Sequence, residues 1–105
     1  MSENTPLTEA VYYILLSLLK PMHGYGIMLN AAQLSGGRVK LAAGTLYGAI
    51  TTMLDKGWIV AASENSAPRR KEYEITPLGE SVLWAELTRL RELVKNGEQI
   101  LESAG

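Results

Sequence analysis

The run from Pro77 to Glu102 constrains this chain more than any other stretch. It holds no proline after its first residue and reads as one helix, with Leu83, Leu87, Leu90, Val94, Gly97 and Leu101 in alternating four–three spacing. That spacing lays a single apolar seam along the helix, with Gly97 filling one slot. At ~1.5 Å per residue the helix is about 39 Å long. A chain of 105 residues is one small domain by length and cannot cover such a seam with its own body. A partner chain is implied. Thr76-Pro77 marks the start, a capping residue followed by proline at the first helical position.

Upstream, the apolar period of Val11, Ile14, Leu15, Leu18 and Leu19 predicts a helix from Glu9 to the stop at Pro21, with Thr8 as its cap. Tyr12, Tyr13 and Leu16 widen its apolar surface beyond one face, so it is expected to bury against more than its own domain. Pro21-Met22-His23-Gly24-Tyr25-Gly26 reads as a turn. In it His23 is expected to satisfy a backbone group and Tyr25 to pack in the core. A second helix follows from about Gly24 to Leu34, with Ile27, Leu29 (or Met28) and Ala31 inward, and Ser35-Gly36-Gly37 closes it.

A third helix spans 42–56 without a Ser, Thr, Asp or Asn at its start, and Gly57 ends it. Leu46, Ile50 and Met53 make its buried stripe. The opposite side carries Gly44, Gly48 and Thr51, flanked by Thr45, Tyr47 and Thr52, with no acid before Asp55. A flat, uncharged helix face with two positions lacking side chains suits close approach to a DNA groove. Trp58–Ser63 and Arg69–Ile75 are β-prone, the second alternating Lys71, Tyr73 and Ile75 against Arg70, Glu72 and Glu74. With the turn residues Glu64–Pro68 between them they form a β-hairpin.

Three helices, a hairpin and a long helix make a mainly α fold, a winged helix-turn-helix (1–76) followed by a C-terminal dimerisation helix (77–105). Charge supports that division. From Ser35 to Lys71 six Lys/Arg face two acids, a net +4, whereas from Glu80 onward five Glu face three cations, a net −2. The overall charge is only −1, so a DNA reading rests on this distribution and not on the total. The chain has no cysteine and a single histidine, which excludes disulfides and thiol chemistry. No nucleophile–base set, phosphate loop or metal-ligand spacing points to an enzyme, a cofactor or a metal. The absence of a membrane-length apolar run or an export leader leads to the expectation of a cytoplasmic protein.

Four motifs carry a family resemblance: Leu18-Leu19-Lys20-Pro21-Met22-His23-Gly24-Tyr25-Gly26-Ile27; Gly44-Thr45-Leu46-Tyr47; Lys56-Gly57-Trp58-Ile59; and Arg69-Arg70-Lys71-Glu72-Tyr73-Glu74-Ile75-Thr76-Pro77-Leu78-Gly79. In combination the chain resembles the PadR family of transcriptional regulators, in its short subgroup with one C-terminal helix. The resemblance implies a homodimeric DNA-binding regulator, usually a repressor. Its third helix enters the major groove and its wing, here 59–75, meets the phosphate backbone. Thr45, Tyr47, Arg69, Arg70 and Lys71 are the positions carried over. A basic residue common late in the family's reader helix is Thr52 here, and the acid after the next leucine is Leu54. Where some relatives place a drug-stacking tryptophan on the last helix, this chain has Leu90.

The expected DNA-facing set is therefore Lys40, Gly44, Thr45, Tyr47, Gly48, Thr51, Arg69, Arg70 and Lys71. Tyr47 has the competing role of an aromatic prop, and Lys40 that of a loop solubiliser. The expected dimer set is Tyr12, Leu16, Leu83, Trp84, Leu87, Leu90, Val94 and Leu101. Pairing through it would set two readers on an inverted-repeat operator of double-stranded DNA. A small hydrophobic effector between the first and last helices, near Tyr13 and Trp84, is a further expectation. The alternative is a winged-helix module that binds protein without sequence-specific DNA contact.

Overall fold

Thr8, His23 and Thr76 each cap the helix that follows them, and these three caps set the frame. In the computed structural model, which describes residues 5–62 and 71–105, α1 spans Glu9–Ser17 and Thr8 accepts from the Val11 N–H. His23 closes a two-residue strand, β1 (Met22–His23), and its Nδ1 accepts from the Gly26 N–H at 3.2 Å to start α2, Gly24–Leu34. The reader candidate, α3, spans Ala43–Asp55 and alone starts without a side-chain cap, at Ala42. Strands β2 (Ile59–Ala61) and β3 (Glu72–Ile75) lead to α4, Pro77–Ala104.

The expected two-stranded hairpin is a three-stranded antiparallel sheet in the order β1-β3-β2. Met22 and His23 pair with Tyr73 and Glu72, while Ile59 and Ala61 pair with Ile75 and Tyr73. The Pro-Met-His turn is thus an edge strand, because β3 offers it an open row of backbone groups. The strands are also shorter than the β-prone runs, and the turn expected at Glu64–Pro68 lies outside the described residues. Helix α1 stops before Pro21 for a related reason. The Leu18 carbonyl accepts from the Ile75 N–H at 2.8 Å, which draws it from helical pairing into contact with the sheet.

The core joins Ile14, Leu15 and Leu18 of α1, Ile27 of α2, Leu46, Ile50 and Met53 of α3, Ile59, Tyr73 and Ile75 of the sheet, and Leu83 of α4. Each fully buried aliphatic side chain here contributes about 1.5–3 kcal/mol relative to exposure. One core expectation fails: Tyr25 is 64% exposed. Of the two alternatives for the inward side of α2, Met28 packs against the core with Ile27 and Ala31, and Leu29 is turned out, 54% exposed. Leu83, expected at a dimer surface, is buried in its own chain's core. The first turns of α4 lie on α1 and the sheet, so the seam is free only beyond that region.

Glu86 is a buried carboxylate that the heptad pattern did not flag. Its two oxygens accept from Arg89 at 2.8 Å each, and one also accepts from the Leu7 N–H at 3.3 Å, tying the N-terminal segment to α4. The Arg89 hydrogen bonds hold Glu86 below the ordinary carboxylate value, assisted by the Leu7 amide and opposed by burial. A group depressed in the folded state contributes stability above its unfolded value and loses it as pH falls through the folded one. Glu86→Gln is therefore expected to flatten the acid limb of the stability curve, read from urea midpoints between about pH 6 and pH 3. Parallel curves for the two proteins would exclude this role.

Candidate nucleic-acid interface

The face of α3 turned from the core is an arc of small or hydroxylated residues. At about 100° per residue, Tyr47, Thr51, Gly44, Gly48, Thr52 and Thr45 cover roughly 160° opposite the Leu46–Ile50–Met53 stripe, and all six are exposed. A Cβ added at Gly44 or Gly48 would meet nothing within 4 Å. Backbone is therefore the outermost matter at two places. With no side-chain cap at Ala42, the first N–H groups of α3 also stay open to an anion. The threonines differ in what they offer. Thr51 donates to the Tyr47 carbonyl at 3.0 Å and Thr52 to the Gly48 carbonyl at 3.2 Å. In this conformation their hydroxyl protons are used within the helix.

Tyr47 is 45% exposed, yet its hydroxyl end rests on Gly24 at the start of α2. A Cβ at Gly24 would fall on the Tyr47 hydroxyl and 2.7 Å from its Cζ. Buried Tyr73 lies near enough that Tyr47 adds to the upward shift of its pKa, which burial dominates. Tyr47 is thus a prop between the reader and α2 as well as an exposed group. Its supports, Gly24 and Tyr73, are visible in the sequence only as motif letters, because nothing local pairs them with residue 47.

Lys40 is exposed just before α3, and Lys71 is exposed ahead of β3. Arg69 and Arg70 lie outside the described residues. Arg38 is engaged with Glu9 at 2.9 Å, an exposed pair of small energetic weight. Among the described residues no three His, Asp or Glu cluster as a metal site, and no helix is long and apolar enough to cross a membrane.

On α4 and α1, Tyr12, Leu16, Leu87 and Leu90 are half-buried, and Trp84, Val94 and Leu101 are 61%, 58% and 74% exposed. Tyr12 and Tyr13 pack edge-to-face at 5.7 Å. A cleft of about 830 Å³ is lined by other residues, and neither Tyr13 nor Trp84 is among them.

The profile of the transcriptional regulator PadR-like family matches residues 14–85, a span running from α1 through α3 and the sheet into α4. The chain belongs to the PadR-like family. Membership makes it a DNA-binding transcriptional regulator and not an enzyme. A PadR family transcription regulator from Clostridium difficile is 30% identical, with 87% of this chain and 97% of that one aligned at a TM-score of 0.65. A PadR family regulator from Eggerthella lenta is 25% identical, covering 88% and 80% at 0.71. RosR of Halobacterium salinarum, 22% identical, aligns over 98% and 100% at 0.69 and shares the fold. No curated protein matches the chain. The PadR-like winged helix is thus common to this chain and its solved relatives.

Proposed function

We propose that this PadR-like chain is a homodimeric repressor. In this reading α3 enters the major groove of an inverted-repeat operator and the wing cations Arg69, Arg70 and Lys71 lie on the phosphate backbone. The observation that carries the reading is the outer face of α3, with open backbone at Gly44 and Gly48 and no acid before Asp55. Helix backbone can approach base edges and phosphates there, and the exposed Thr45 can donate a hydroxyl proton. No Arg, Asn or Gln stands mid-helix to read a base with two bonds, so much of the affinity comes from phosphates. The two readers pair through the distal half of α4, where Leu93, Val94, Ile100 and Leu101 are exposed, with help from Tyr12 and Leu16 of α1. The winged helix (1–76) is the DNA-binding unit and the rest of the chain the pairing unit. Half-sites would then lie about one DNA turn, roughly 34 Å, apart.

The test is fluorescence anisotropy with the gene's own upstream DNA across a salt series. Binding through several phosphates weakens steeply with salt, whereas an apolar protein contact does not. Lys71→Ala is expected to lower the salt slope by about two for a dimer, one per protomer, and to weaken all sequences alike. Weak binding with no sequence preference and no response to Lys71→Ala would favour the protein-binding alternative. A monomer in sedimentation at micromolar concentration would refute the pairing.

A further inference from the structure

Beyond Glu86, the last buried residue of α4, the helix is sorted by position. Leu87, Leu90, Val94, Gly97, Leu101 and Ala104 keep the four–three spacing of a seam. Leu93 and Ile100 flank it on one side, Arg91 and Glu98 on the other, and the remaining residues from Thr88 to Ser103 are all polar. Leu93, Val94, Ile100 and Leu101 are each more than half exposed. A shallow groove of about 330 Å³ runs along the seam, with Arg91 and Glu98 among its lining residues.

The charges on this stretch are badly placed for a helix standing alone. Arg91 and Lys95, both cationic, are four residues apart, and so are the acids Glu98 and Glu102. Like charges at that spacing repel. The acids also stand toward the C-terminal end, the negative pole of the helix, whose last turn holds no basic residue. Neither Arg91 nor Glu98 is in an ion pair among the described residues.

An antiparallel second copy answers all of this in one register. With Leu90 opposite the partner's Leu101, Val94 falls opposite the partner's Gly97 and Leu87 opposite the partner's Ala104. Arg91 then faces the partner's Glu98, Leu93 faces the partner's Ile100, and the two-fold axis repeats each pair. A Cβ at Gly97 meets nothing within 4 Å in its own chain, and in this register the partner's Val94 takes that room. The partner's helix end arrives beside Leu87, where the chain's own body begins to cover α4. A parallel pair fails on each count. It sets Gly97 against Gly97 and leaves a hole, and it brings Glu98 to the partner's Leu93. Arg91 is offered only the partner's Glu86, which is buried and held by Arg89.

We propose that the distal half of α4 pairs antiparallel in this register, and that the Arg91–Glu98 ladder restricts the chain to partners with the same charge order. The proposal rests on the pairing described under the proposed function and adds its direction and its selectivity.

Sedimentation equilibrium on Arg91→Glu and Glu98→Arg tests the ladder. Each reversal turns two attractive pairs into two repulsive ones. Each is expected to weaken self-pairing about ten- to thirtyfold at 0.15 M salt, with most of the loss gone at 1 M. Mixed in equal amounts, the two variants should recover the parent's affinity as a heterodimer, which also shows that both are folded. The double variant should pair with itself and not with the parent chain. Direction is read from spin labels on Ser103→Cys, the chain having no cysteine of its own. The labels are expected roughly 22 Å apart along the pair axis if antiparallel, and side by side if parallel. A mixture that pairs no better than either variant alone, or labels lying side by side, overturns the register and leaves the pairing itself standing. A parent chain that stays monomeric defeats the pairing in the proposed function, and this register with it.

Discussion

Gly48→Glu is expected to abolish useful DNA binding while raising thermal stability. Position 48 is in the middle of α3, and a Cβ there meets nothing within 4 Å. Replacing glycine by a good helix former at an open helical position stabilises by roughly 0.5–1 kcal/mol. For a chain of this size that is a rise in Tm of a few degrees. At the interface the same side chain places a carboxylate where backbone would approach the DNA. Each protomer of a dimer contributes one. At about 2 kcal/mol apiece, in the range of a lost base or phosphate contact, the pair costs on the order of a thousandfold in affinity at 0.15 M salt. Anisotropy and thermal melts on the same sample check both halves. A variant that binds DNA within tenfold of the parent would remove α3's outer face from the interface.

Gly79→Val is expected to have the opposite profile, a collapse of stability from a glycine that also sits in a helix. Gly79 is in the first turn of α4, and its backbone is not left-handed. What forbids a side chain is space. A Cβ would fall on the Trp58 carbonyl oxygen and come within 2.7 Å of Ile75 Cγ1. Trp58 cannot yield cheaply. Its carbonyl accepts from the Thr76 N–H at 2.9 Å and from the Thr76 hydroxyl at 3.0 Å. That hydroxyl in turn caps α4 through the Gly79 N–H at 3.0 Å. Moving the first turn away breaks the cap and withdraws Leu83 from the core. Overpacking against backbone together with a lost cap costs about 3–5 kcal/mol, a drop in Tm of about 15 °C or more. A melt within 5 °C of the parent would show that α4 docks less tightly than this geometry requires. Two helical glycines thus serve opposite ends, one open toward a partner and one closed against its own chain.

The pattern-bearing parts of the fold are legible in the order of residues alone. The stripe Leu46, Ile50 and Met53 predicts which face of α3 is buried, and all three are within 2% of full burial. Helix α2 runs from Gly24 to Leu34 as its flanking turn residues indicate. The absence of a polar residue before α3 foretells its missing cap, and His23 satisfies a backbone group as expected. These features depend on residues within a few positions of one another, and helical periodicity records that dependence directly.

Other features depend on residues far apart in the chain. Met22 reads as a turn residue until Tyr73 supplies a strand to pair with. Leu83 fits the seam spacing as well as Leu87 does, and only the docking of α4 assigns it to the core. Glu86 looks like a solvent-facing charge until Arg89 and the Leu7 amide enclose it. Tyr25 and Leu29 are apolar letters on a helix whose inward face Ile27, Met28 and Ala31 already fill.

By itself, then, the sequence determined which stretches become helices and which stripe of each is apolar. It also determined the family, because local periodicity and short motifs are properties of neighbouring residues. The tertiary structure alone decided the third strand, the rest of Tyr47 on Gly24, the burial of Glu86 and the cleft between α1, α3 and α4. Each of those is a contact between segments whose separation along the chain carries no periodic signal.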